Sequence, residues 1–242
     1  MKILAIDTSN MPLTVAVLDD ERLLATMTTT VRRDHGATLM PVIAALLERA
    51  AVSVDEIDRF VVAAGPGSYT GLRIGATTAK TLAATLNREL VGVSSLRVLA
   101  AGYRPEHHRL IVPVFDARRN NVFAGAYRWH RDQLTEVIPD QHISLVDLAT
   151  AIRDEDYVFV GSDCWQLHEQ LVDLFGRDVH VAPAQFNYPQ AYVLGLLGRQ
   201  RAPVTNVDAF VPRYLRLTQA EADWYQQHPE EKGHPTNYVE KY

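Results

Sequence analysis

The chain opens on an apolar run, KILAIDTS at 2–9, that breaks off in Asp-Thr-Ser. Two further apolar runs follow at 13–20 and 22–31, with tight turns between them. Such runs suit buried strands, and the short turns predict an antiparallel meander. The period then changes: Leu39, Val42, Ile43, Leu46, Leu47 and Ala50 recur at helical spacing within 37–51, with Pro41 early in the segment, where its missing amide costs least. Ser53 and Glu56 have the spacing of a capping box for a short turn. RFVVAAG at 59–65 reads as a fully buried strand, TGLRIGATTAKTLAATL at 70–86 as a helix and LVGVS at 90–94 as a strand. The order βββαβαβ predicts an α/β lobe with a mixed sheet and flanking helices.

The plan returns more weakly downstream. RLIVPVFDARRNNVFAGAYRW at 109–129 again gives an apolar strand, an aspartate, a polar turn and a second apolar strand, so that Asp116 answers Asp7. A third strand is expected at 133–139, and helix and strand alternate through 144–152, 157–162, 164–175, 178–183 and 190–200. Gly195 and Gly198 interrupt the last helical pattern and read as packing positions. The expected organisation is a lobe at 1–103, a smaller lobe at 104–222, and a polar tail at 223–242 whose prolines and lack of periodicity predict mobility.

Composition narrows the function classes. With 47% hydrophobic residues the chain of 242 can bury a genuine core, and its net charge of -5 supplies no basic field for autonomous, tight RNA binding. The start carries no signal-peptide pattern and no apolar run reaches membrane-spanning length, which predicts a cytoplasmic protein. One cysteine, Cys164, excludes an internal disulfide and a thiolate zinc cluster, and reads as a small buried hydrophobe.

Two related lobes, the first opening with Asp-Thr-Ser at a hairpin turn, resemble the two-lobed actin-like ATPase fold (ASKHA, ribonuclease H-like). In that fold paired hairpins grip the phosphates of ATP while aspartates orient magnesium and its waters. Asp7, Thr8, Ser9 and Asp116 stand where such a grip would be. The opposite reading is that the two aspartates only satisfy turn amides, and both readings stand at this point. A second-lobe Gly-Gly turn for adenine is missing from the sequence.

The resemblance narrows further. Ile6–Ser9, the string GPGSYTGLRIG within 65–79, VSSL at 93–96, PVFDARRNNVFAGAY at 113–127 and PRYLR at 212–216 together resemble the bacterial TsaB (YeaZ) family over nearly the whole chain. That resemblance implies a non-catalytic scaffold subunit in synthesis of N6-threonylcarbamoyladenosine at position 37 of tRNA. It implies pairing with the related transferase TsaD, help in recruiting the ATPase TsaE, and self-pairing as a homodimer when TsaD is absent. It implies tRNA contact only indirectly, through the complex, no cofactor for the isolated chain, and room for ATP or ADP only within the complex. The alternatives are an autonomous actin-like phosphotransferase or ATPase and, behind an older glycoprotease label, a metallopeptidase.

The residues bear on those alternatives. TsaD-like proteins hold a metal through H-x-x-x-H on a helix; here His35 is followed by Leu39, so no metal site is expected. Neither H-E-x-x-H nor G-x-S-x-G occurs. His107, His108, Arg118 and Arg119 read as solvated loop residues, although the two arginines could meet an anion. GPGSYTGLRIG lacks the spacing and lysine of a P-loop, so Gly65, Pro66 and Gly67 read as a sharp strand exit, with Ser68 or Thr70 as helix cap. Gly71, Gly75, Ala79 and Ala83 then form a smooth stripe, which fits either packing on the lobe's own sheet or close approach of a partner. The segment 37–51 is apolar around most of its circumference. Together these features predict a partner surface of Leu39, Met40, Ile43, Leu47, Gly71, Leu72, Gly75, Ala79 and Ala83.

Overall fold

The computed structural model describes residues 1–31, 34–216 and Trp224. The tail expected at 223–242 therefore lies outside the described residues except for Trp224, as does the end of the segment assigned to the second lobe. Strands β1 (Lys2–Asp7), β2 (Leu13–Asp19) and β3 (Arg22–Thr29) form the antiparallel meander. Helix α1 (His35–Ala50) follows, capped by the Asp34 carboxylate, which accepts from the amides of Gly36 and Ala37. Next come β4 (Arg59–Ala63), α2 (Tyr69–Leu86) and β5 (Glu89–Val93), giving the sheet order β3-β2-β1-β4-β5 with β4 parallel to both neighbours. Alternation along the strands divides the core. Leu4, Ile6, Phe60 and Val62 face α1 and α2, while Ile3, Ala5, Val61 and Ala63 face the other way.

A short helix not expected from the sequence, α3 (Ser95–Ala101), leads into the second lobe: β6 (Leu110–Asp116), β7 (Asn121–His130), β8 (Gln133–Ser144), α4 (Leu145–Ala151), β9 (Tyr157–Val160) and α5 (His168–Phe175). The sheet order is β8-β7-β6-β9, again three antiparallel strands joined to a parallel one. The two lobes thus share one plan, that of the two-lobed actin-like fold.

Two expectations need correction. The strand expected at 178–183 reduces to one bridge, Phe159 with Val181, because the segment meets the sheet edge only there. The 104–222 segment is also not confined to the second lobe. Its last helix, α6 (Ala191–Arg199), covers the second face of the first sheet through Ala191 and Leu194. There Gly195 lies under Leu18 and Gly198 under Val61, so both glycines are packing positions. Arg59 fixes the end of this helix: its guanidinium donates to the carbonyls of Gly198, Arg199 and Arg201 at 2.9, 2.9 and 3.0 Å and pairs with Glu89.

Candidate functional site

Three turns converge where the lobes meet. After β4 the chain must pass close to the turn that follows β1, and two glycines permit it. A side chain at Gly65, whose φ is +102°, would meet the carbonyl of Arg213, and one at Gly67 would meet that of Ser9. Ser68 then donates its amide to the Ser9 carbonyl at 2.7 Å, and its hydroxyl accepts from the Gly71 amide at 3.3 Å as the cap of α2.

The stripe on α2 faces inward. A methyl group on Gly71 would strike the carbonyl of Thr8, and one on Gly75 would strike the Thr8 hydroxyl, which donates to the Gly71 carbonyl at 2.7 Å. Ala79 and Ala83 continue the same contact into the core. The partner surface predicted from sequence is therefore corrected: Leu39, Ile43, Leu47, Gly71, Leu72, Gly75, Ala79 and Ala83 are all buried within the chain, and of the nine only Met40 is exposed, at 48%. The outward face of α1 is made instead by Ala37, Met40, Pro41 and Ala44, and that of α2 by Arg73, Thr77, Thr81 and Ala84. Periodicity located both helices correctly, but a helix apolar on most sides does not declare which side meets its own sheet.

Between the lobes lies a cleft of about 900 Å³, lined by Asn10 and His35, by the start of α2, by Phe115, Asp116 and Arg118, by Asp163 and by Tyr214–Arg216. Asp7, Thr8 and Ser9 sit behind this wall, buried. One oxygen of Asp7 accepts the Ser9 amide at 2.8 Å, and the other has no hydrogen-bond partner. Burial pushes the Asp7 carboxyl up, against the pull of its Ser9 contacts and of nearby His35. Asp116 is exposed on the rim and accepts the Arg118 amide at 2.7 Å.

The grip on magnesium ATP that the actin-like fold implies needs Asp7 and Asp116 to face one water-accessible space, and they do not. The residues present do not fit that group. Nor, among the described residues, do three His, Cys, Asp or Glu side chains converge. His35 turns its Nε2 to the Asn10 carbonyl at 3.1 Å, and Leu39, one turn on, is core.

Two polar clusters escaped the sequence reading. Asp163 joins the lobes, accepting from the Asn10 amide side chain at 3.4 Å and from the Asp116 backbone at 2.8 Å; burial pushes its carboxyl up, and Asp116 adds to the rise. It lies just past the end of β9, as Asp7 and Asp116 close β1 and β6, and that was the available signal. Buried Asp140 accepts from the Ser94 and Tyr127 hydroxyls. Arg213 reaches the Asp140 carbonyl at 3.2 Å and donates its own amide to the carbonyl of Ala64 at 2.7 Å. The PRYLR segment is thus a strap over both lobes: Tyr214 stacks on Tyr69 at 4.9 Å, Leu215 packs in the second lobe, and Arg216 donates to the Ala117 carbonyl at 2.9 Å.

This architecture has named relatives. A family model described as TsaD, tRNA N6-adenosine threonylcarbamoyltransferase, matches residues 24–224. The tRNA threonylcarbamoyladenosine biosynthesis protein TsaB of Bacillus subtilis is 40% identical over 227 residues, 93% of this chain and 98% of that protein. The protein of the same name from Escherichia coli is 30% identical over 145 residues, 57% of this chain and 62% of its own length. Among solved structures, YeaZ from Pseudomonas aeruginosa superposes with a TM-score of 0.75 at 26% identity, covering 88% of this chain and 99% of that one.

Proposed function

This chain belongs to the TsaB family of tRNA threonylcarbamoyladenosine biosynthesis proteins, and we propose that within that pathway it is a non-catalytic scaffold. It pairs with TsaD, holds that transferase in its active arrangement and helps recruit TsaE. In the absence of TsaD it pairs with a second copy of itself. The observation that carries this reading is the outward face of α1, where Ala37, Met40, Pro41 and Ala44 leave a smooth apolar strip in solvent. The aspartates of the cleft support it from the other side: Asp7 and Asp116 each hold a turn amide, and Asp163 holds the contact between lobes.

Nucleotide enters only in the assembled complex, and calorimetry of the isolated chain with magnesium and ATP should register no binding up to millimolar ligand. The interface is tested by Met40→Glu and Ala44→Glu, both at exposed positions of α1. Both should weaken pairing with TsaD at least tenfold, equivalent to about 1.4 kcal/mol, and lower stimulation of tRNA modification in proportion while the melting temperature holds. Unchanged pairing in both variants would remove the scaffold surface from this face.

A further inference from the structure

The turn between β6 and β7 breaks a local rule. Arg118, Arg119 and Asn120 have φ of 66°, 55° and 59°, three successive non-glycine residues in the left-handed region. Glycine, or asparagine at each step, would hold that conformation with less strain. Nothing about the turn is loose. Asp116 accepts the Arg118 amide, the Arg118 carbonyl accepts from the Asn121 amide at 3.1 Å, the Asn120 carbonyl accepts from Leu145 at 3.1 Å, and Arg216 holds the Ala117 carbonyl. The tip is therefore fixed in a costly shape, and it carries two adjacent exposed guanidiniums that have no ion pair among the described residues. Local conformational preference disfavours arginine at both positions, and packing does not require it there. Residues that oppose local stability without a structural return are the mark of a contact made elsewhere.

We infer that the Arg118–Arg119 tip is a phosphate contact for RNA, made when this chain is part of the assembled complex. The inference rests on the scaffold reading and names a further ligand for it. Guanidinium is the side-chain group that forks onto phosphate oxygens, and Arg216 at the base of the same turn adds a third positive charge. The net charge of -5 explains why the tip acts as an auxiliary contact. Neighbouring Asp116 accepts the Arg118 amide, and its carboxylate forms no ion pair with either guanidinium among the described residues.

The test is the double variant Arg118→Asn/Arg119→Asn, which keeps residues suited to left-handed φ, assembled with TsaD and TsaE and titrated with tRNA over 50–200 mM salt. Two lost phosphate contacts should make the log–log salt slope shallower by about 2 and weaken binding about tenfold at the low-salt end. The melting temperature should hold or rise, since asparagine suits the left-handed turn better than arginine, and pairing with TsaD should be unchanged. An unaltered slope and affinity in the assembled variant overturns the inference. So does loss of assembly with TsaD, which would make the tip a protein contact. If the parent complex assembles and binds no tRNA, this inference falls and the scaffold reading stands; if the parent chain does not assemble, the scaffold reading falls and takes this inference with it.

Discussion

Replacing Gly71 by alanine sets two opposed effects against each other. Alanine favours a helix over glycine by about 1 kcal/mol, so an outward-facing Gly71 would become more stable. In the structure the added methyl group runs into the Thr8 carbonyl, a backbone atom that cannot swing aside, and lies 3.4 Å from Ser68 Cβ. Forcing α2 off the turn costs about 1–3 kcal/mol of repacking. Losing the hydrogen bond from Thr8 to the Gly71 carbonyl costs about 1 kcal/mol more. The balance is a destabilisation of about 1–3 kcal/mol. At about 2–4 °C per kcal/mol for a chain of this size, the melting temperature should fall by about 2–12 °C. Differential scanning calorimetry beside Thr77→Ala, on the exposed face of the same helix, reads the difference, since the control should move by no more than about 2 °C. A Gly71→Ala protein that melts higher than the parent would refute the reasoning and return the small-residue stripe to the partner interface.

Further outcomes follow from the buried polar groups. Burial raises the Asp7 carboxyl above its ordinary 3.8, so the folded state holds that proton more tightly than the unfolded chain and stability falls as pH rises above about 3.8. Asp7→Asn should therefore melt higher than the parent at pH 7, with the gap closing towards pH 4 in a melting series, and a lower melting temperature at pH 7 would contradict this. Tyr127, whose hydroxyl is pushed up by burial and by the Asp140 charge, donates to that carboxylate. Tyr127→Phe should cost about 1.5–3 kcal/mol, seen as a lower urea midpoint at unchanged slope. Burial likewise pushes the Cys164 thiol up. A thiol reagent should leave the native protein unlabelled and titrate one equivalent only in denaturant.

What the sequence disclosed and what it withheld divide along chain separation. Strands such as β1 and β4 and helices such as α1 announce themselves through periodicity, which is a local signal, and strand-end aspartates mark the turns that meet at the cleft. Asp163 meets Asp116, and Arg213 meets Asp140, only after the lobes close, and no period links positions 47 and 73 residues apart. The inward sense of Gly71 and Gly75 was hidden for a related reason: the group that fills their groove is Thr8, at the far end of the sheet's first strand. α3 is seven residues long, too short for its pattern to stand out from the loop around it.

The placement of α6 imposes an order of events on the ribosome. The sheet face made by Ile3, Ala5, Val61, Ala63, Val91 and Val93 is complete in sequence once residue 93 has been made, yet the helix that roofs it begins at residue 191. At about 5–20 residues per second, the intervening 98 residues (191 − 93) take roughly 5–20 s to synthesise. For that interval the nascent first lobe presents an apolar sheet face without its lid, and Arg59 waits for the carbonyls it will hold. The lobe that is translated first is therefore finished last, which makes it a client for whatever shelters emerging chains and makes the chain's final quarter a checkpoint on the first.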